Sequence, residues 1–317
     1  MRNALKTAAW IAGVCLGFVL HGQPAAAQQP AAQQPAAQQQ TTTQQPAPAG
    51  QPSPPPAPPQ VVTAGDFYAG DGISITAQYW LGYGHPSMGT GHGNGNGEPS
   101  SVDYLGKPRP APAGIISIPV GKHNALRISY FRIQGNGNPT LPAASIIYGT
   151  SYNQGDYLAV HYVMQNVKAS FDYLSWPFPV KDSKFHIKTL WEVQYTNIAS
   201  SFDAPLRHGQ TDASGAPIIV SAYGKDWFIY PSFGLGADYL ISHNFRFEAR
   251  ASGFAFPHRA TIWDTEASLN YRFGKFEIQG GVKAFHFKTS PEKVEFVQAT
   301  YPGAFVGLRW YPEYGKR

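Results

Sequence analysis

The chain has 317 residues, a formal charge of +5, one cysteine and an aromatic content of 14%. Arg2 and Lys6 belong to a leader-like start, so the rest is near charge balance, which argues against a nucleic-acid binder. No segment after the leader is apolar for long enough to form a membrane-spanning helix.

Residues 1–27 read as a secretory signal peptide: basic Arg2 and Lys6, an apolar run from Ala8 to Leu20, and the small residues Ala25-Ala26-Ala27 before Gln28. The cysteine, Cys15, lies within this run. Its removal with the signal would exclude disulfides and thiolate chemistry from the mature chain. Residues 28–64 are a Gln/Ala/Pro-rich linker. Up to about Gln60 it lacks charge and aromatic residues, so it is expected to be disordered. Following an export signal, it is expected in the periplasm, where it can act as a tether or touch the cell wall.

Residues 65–317 carry ten strand patterns, with eight or twelve as the alternatives. The first is Ile73 to Tyr83, with Ile73, Ile75, Ala77, Tyr79 and Leu81 on one face and Ser74, Thr76 and Gln78 on the other. The second and third span about 114–120 and 125–134, and the fourth spans 156–174 with Lys168, Ser170 and Asp172 opposite Val167, Ala169, Phe171 and Tyr173. The fifth is Phe185 to Asn197 and the sixth Trp227 to Ile241. The seventh sets Phe245, Phe247, Ala249 and Ala251 against Arg246, Glu248, Arg250 and Ser252. The eighth sets Trp263, Ala267, Leu269, Tyr271 and Phe273 against Asp264, Glu266, Ser268, Asn270 and Arg272. The ninth and tenth are Phe276 to Lys288 and Gly303 to Tyr311.

Strict alternation in an exported chain without an apolar helix predicts a closed antiparallel up-and-down transmembrane β-barrel, apolar side to lipid and polar side to the lumen. An even strand number places the tight connections (121–124, 177–183, 242–244, 274–275) at the periplasmic end. The long ones (84–112, 135–155, 199–223, 290–300) then lie outside, with Pro257-His258-Arg259 as the short exception. The aromatic residues Tyr79, Trp80, Tyr83, Trp176, Trp191, Trp227, Tyr239, Trp263, Tyr271 and Trp310 are expected to form interfacial girdles.

Signal, spacer, alternating strands and an aromatic-rich last strand together resemble the small outer-membrane β-barrel family, which includes the OmpA-like and porin-like barrels. The resemblance covers about residues 65–311 and implies an outer-membrane location, contact with outer-membrane lipid, and delivery by periplasmic chaperones and the barrel-assembly machinery. It also implies an assembly signal in the last strand, matched by Ala304, Val306, Leu308 and Trp310. The chain departs from that pattern by continuing from Tyr311 to Arg317. No peptidoglycan-binding module is expected after the barrel.

The face predicted to line the lumen holds Arg127, Lys168, Asp172, Lys188, Glu192, Asp238, Arg246, Glu248, Arg250, Asp264, Glu266, Arg272, Glu277, Lys283 and Arg309. In a barrel this narrow, opposite charges should pair and fill the interior, because an unpaired buried charge is costly. Arg246, Glu248 and Arg250 are expected to face Asp264 and Glu266 across one hairpin. The network either plugs the barrel or lines a narrow channel. A surface adhesin or receptor acting through the long loops is the alternative, and an outer-membrane protease or lipid-modifying enzyme is third.

Catalytic candidates are His161, His186, His258 and His286 with Asp264, Glu266 or Ser252, but no signature joins them, and no enzyme is predicted. His85, Met88 and His92 lie in a Gly-rich stretch that offers no rigid ligand geometry, so a flexible exposed loop is expected, with no metal and no cofactor.

Overall fold

A computed structural model describes residues 72–90, 101–102, 106–121, 124–176, 184–207, 209–256, 260–290 and 295–312. The expected signal, linker, His92 and the 257–259 turn lie outside the described residues. Ten long strands follow in chain order: β1 Ser74–Gly82, β2 Ala111–Val120, β3 Asn124–Gly137, β4 Ala159–Trp176, β5 Phe185–Asp203, β6 Ser221–Leu240, β7 Phe245–Phe256, β8 Ala260–Phe273, β9 Phe276–Lys288 and β10 Glu295–Trp310. Each pairs antiparallel with the next, and β1 pairs with β10 from Ile75↔Trp310 to Gly82↔Gly303, closing the barrel.

Turn chemistry explains the hairpins at one end. Gly274 has φ +58°, so a two-residue turn led by glycine joins Phe273 to Phe276, and Gly121 (φ +69°) supplies a left-handed residue after β2. The long connections lie at the other end, termed the loop end here.

Near the turn end the wall is inverted relative to a soluble sheet. Ile75, Tyr79, Ile116, Ile128, Val193, Leu235, Leu269, Ile278, Val306 and Leu308 point outward and are 40–60% exposed. Their inward neighbours Thr76, Asp172, Glu192, Asp238, Glu277 and Arg309 are buried. On β8 this outer face runs from Phe273 to Trp263. Eleven residues of tilted strand span roughly 25 Å, the height of a lipid belt.

Toward the loop end the alternation changes sign. On β9 the inward residues pass from Glu277, Gln279 and Lys283 to Phe285 and Phe287, while the outward ones pass from Ile278 and Val282 to His286 and Lys288. On β3 the change falls between Ser129 and Phe131, on β4 between Asn166 and Met164, and on β5 between Thr196 and Ile198. Above this line these strands follow the rule for water, apolar inside and polar outside, while the outer face of β6 stays apolar through Ile229 and Trp227. The inversion therefore marks where the wall leaves the membrane.

The structure differs from the sequence expectations at three places in the wall. Several strands outrun their predicted bounds at the loop end: β5 reaches Asp203 and β6 begins at Ser221, so the 199–223 connection shortens to 204–220. Trp80 is not in a girdle. Its ring is 1% exposed, inside the barrel, because it stands one residue out of phase with outward Tyr79 and Leu81. The stretch around Met88 is not a free loop either: Ser87–Thr90 pairs with Glu295–Gln298 of β10, and Met88 is buried.

Candidate functional site

The lumen is filled by two layers. The layer nearer the turn end is ionic. Glu277 accepts from Arg309 Nη1 at 2.7 Å and from Arg246 Nη2 at 2.9 Å, while Glu248 is shared by the same two arginines at 3.2 and 2.9 Å. Arg309 Nε donates to Thr76, and Tyr311 Oη donates to Glu277. The Arg272 guanidinium lies 4.0 Å from the centre of the Tyr311 ring. Tyr311, outside the predicted lumen set, is thus part of this layer.

Higher up, Arg250 bonds Asp172, with Nη2 to Oδ1 at 2.8 Å. Lys168 bonds Asp264 at 2.6 Å and Glu192 at 3.4 Å. Ser252 Oγ sits between Asp264, at 2.8 Å, and Glu192, its one proton serving either carboxylate. Lys188 pairs with Asp238, and Glu266 takes Arg127 and Lys283, each at 3.5 Å. The residues predicted for the lumen therefore stand together in one ionic network, in which Arg272 stacks on Tyr311.

The pairing scheme differs from expectation. Across the β7–β8 hairpin the register sets Arg246 against Asn270 and Glu248 against Ser268. Arg250 faces Glu266 in register, yet its guanidinium reaches Asp172 on β4. Side chains in a narrow barrel point at the axis, so their charged ends can meet residues from the far wall as well as from the strand beside them.

Lys283 forms the seam between the layers. Its ammonium pairs with Glu266 and sits 5.1 Å from the Phe131 ring centre and 5.6 Å from Trp80. Above it lies an aromatic layer. Phe131 meets Phe285 edge to face at 5.1 Å and Trp80 at 5.5 Å, and Trp80 meets Tyr301 at 6.5 Å. Phe285, Phe287, Tyr162 and Tyr301 are fully buried.

A small hairpin covers the mouth. Ser145–Ile147 pairs with Thr150–Tyr152 through a turn whose central residues, Tyr148 and Gly149, have φ of +47° and +77°. Such a turn needs left-handed backbone at both positions, which costs a tyrosine roughly 1–2 kcal/mol. The ring offsets this. Tyr148 Oη lies 3.1 Å from Ser200 Oγ on β5, its ring is 6.0 Å from Phe202, and its backbone N–H donates to Glu295 on β10 at 2.6 Å. The hairpin so bridges opposite sides of the ring. A Cβ on Gly224 would come within 2.0 Å of the Tyr148 ring, so only glycine fits there.

Gly224→Val should unseat the hairpin, destabilise the barrel by about 1–3 kcal/mol, and open the Tyr148 and Tyr152 bonds to chymotrypsin. Cleavage no faster than in the wild type would count against the hairpin as a cover. Burial, with Glu295 and Asp226 nearby, pushes the Tyr148 phenol up from 10 to about 12. The neutral phenol is the docked form. Docking is therefore at full strength below about pH 10 and weakens as pH rises toward 12. The Tyr148→Phe barrel should lose that alkaline step in hairpin proteolysis.

Among the described residues the catalytic candidates are not brought together in one place. Ser252 is engaged by Asp264 and Glu192 within the ionic layer. His161 bonds Asn136, and His286 bonds Thr300 at 2.8 Å and stacks on outward Trp263. His186 is buried in the wall, and His258 lies outside the described residues. Among the described residues no cluster of three His, Cys, Asp or Glu offers a metal site.

No protein-family model and no curated protein sequence matches the chain. Solved structures do. The outer membrane protease OmpT from Escherichia coli superposes with a TM-score of 0.50 at 10% identity, over 76% of this chain and 96% of that one. The translocator domain of the autotransporter NalP from Neisseria meningitidis gives a TM-score of 0.38 at 11% identity, covering 76% and 89%. The attachment protein Ail of Yersinia pestis gives 0.32 at 8%, covering 74% and 99%. At such identities the likeness to OmpT is one of fold: this chain is a closed β-barrel of the outer-membrane type.

Proposed function

We propose that this chain is an outer-membrane barrel of structural kind, closed to solutes along its axis. The observation that carries the reading is the double filling of the lumen. An ionic layer with its charges paired along and across the wall is followed by an aromatic layer and a docked hairpin. The cavity at the turn end, bordered by Arg127, Arg246, Glu248 and Arg309, holds about 80 Å³, room for a few waters. An open path would need the ion pairs to part inside a low-dielectric wall, at several kcal/mol per separated charge.

Planar-bilayer recording tests this. The purified barrel should insert without unitary conductance steps. Steady steps from the wild-type protein would overturn the closed reading in favour of a narrow channel. The Gly224→Val barrel, in which the ionic layer is intact, should also stay silent.

A further inference from the structure

The wall has a gap on one side. The β6–β7 pairing runs from Leu240↔Arg246 up to Phe233↔Gly253 and stops. β6 continues to Ser221 in register with β5, and β7 continues to Phe256 in register with β8. Pro231, which has no N–H to donate, stands two residues beyond the last pair. Between the parted strands lies a cavity of about 630 Å³, a size that suits one small ligand. Its apolar lining combines the inward residues Phe228, Tyr230 and Phe254 and the half-exposed Phe256 with Trp227 and Pro231 from the outer face of β6. Asp226, Thr289 and Ser290 supply its polar part.

The height of this notch identifies its occupant. On β6 the inward face turns apolar between Ser232 and Tyr230, and on β7 between Ser252 and Phe254. The notch therefore opens where the wall leaves the membrane, continuous with the lipid-facing surface of Phe233 and Leu235. From it a row of rings leads inward: Phe256 to Phe254 at 6.4 Å, Phe254 to Tyr230 at 6.4 Å, Tyr230 to Phe228 at 4.9 Å and Phe228 to Phe287 at 6.1 Å. The backbone groups along the parted edges need polar partners that hydrocarbon alone does not provide. An amphiphile meets both demands, tail among the rings and head at the edge. Asp226 is the charged residue of the lining, which disfavours an anionic head. The geometry points to a lateral binding site for the single hydrocarbon chain of an uncharged-headed amphiphile entering from the outer leaflet.

The test uses the full chain in saturated phosphatidylcholine vesicles and a monoacylglycerol brominated at mid-chain, a contact quencher of tryptophan. Quenching should saturate at about one probe per barrel, and Trp227→Phe should remove most of the saturable part. Ala260→Phe, which fills the notch, should weaken binding by about tenfold or more, whereas Ile128→Phe on another part of the belt should leave it unchanged. The brominated free fatty acid should bind more weakly at neutral pH, and Asp226→Asn should narrow that difference. Quenching that merely rises in proportion to membrane content, or that saturates equally in an Ala260→Phe barrel with normal heat-modifiable migration, would overturn the site. Tighter binding of the fatty acid would overturn the uncharged head.

Discussion

Replacing Arg309 by Met is expected to cost the folded barrel about 3–5 kcal/mol. Arg309 is 8% exposed and holds two carboxylates, Glu248 and Glu277, besides donating to Thr76. Methionine fills much of the same volume, so little of the loss comes from packing. The loss comes from two buried carboxylates left to share Arg246, each of which must then stay desolvated with a weaker partner or take up a proton. Glu248→Gln in the same background should recover part of the loss, because it removes one of the stranded charges. Urea unfolding in detergent micelles, followed by heat-modifiable migration, would measure both. A single-variant cost below about 1 kcal/mol would show that Arg309 is screened by water and that the layer is not a sealed one.

Phe285→Ala is expected to cost a similar amount, about 3–5 kcal/mol, by a different route. Phe285 is fully buried above the seam, edge-on to Phe131 and beside Phe287 at 6.0 Å. Backbone pairing on β9 fixes the surrounding wall, so the space cannot collapse and a cavity remains. Phe285→Leu should cost less than about 1.5 kcal/mol, since it keeps most of the volume. Equal costs for the two variants would indicate that the aromatic layer is loosely packed. Both differ from Arg309→Met in salt response: the charge variant should respond to ionic strength and the aromatic variants should not.

The membrane-embedded part of the fold was readable because lipid outside and charge inside impose a period of two on every strand. Runs such as Phe245 to Ser252 or Glu266 to Phe273 carry it without interruption. The same pattern placed the lumen charges, but not their partners, since partnership across an axis depends on shear and strand number and leaves no trace in local spacing. The loop-end half was hidden by the change of sign. In the stretch Ala284 to Lys288 the aromatic residues are inward and the polar ones outward, so one strand joins two opposite patterns, and at the junction the alternation cancels. Trp80 was misplaced for that reason. The mouth hairpin was hidden by its turn: Tyr148-Gly149 occupies left-handed backbone more typical of Asn-Gly, and only the Gly224 vacancy for the ring explains it. The notch depends on where pairing stops, and Pro231 was its sole local signal.

The closing contacts of the ionic layer have a consequence for the time course of assembly. Arg309 touches Thr76 and Gln279 touches Gln78, pairs separated by 233 and 201 positions along the chain. Glu277 and Glu248 gain Arg309 as a second cation only when the final strand pairs with β9. Until then an open sheet carries undercompensated charge that hydrocarbon rejects, and a structure so dominated by distant pairings forms slowly. A sheet that lacks its last strand leaves Glu248 and Glu277 to Arg246 alone, so neutralisation of the lumen is tied to completion of the wall.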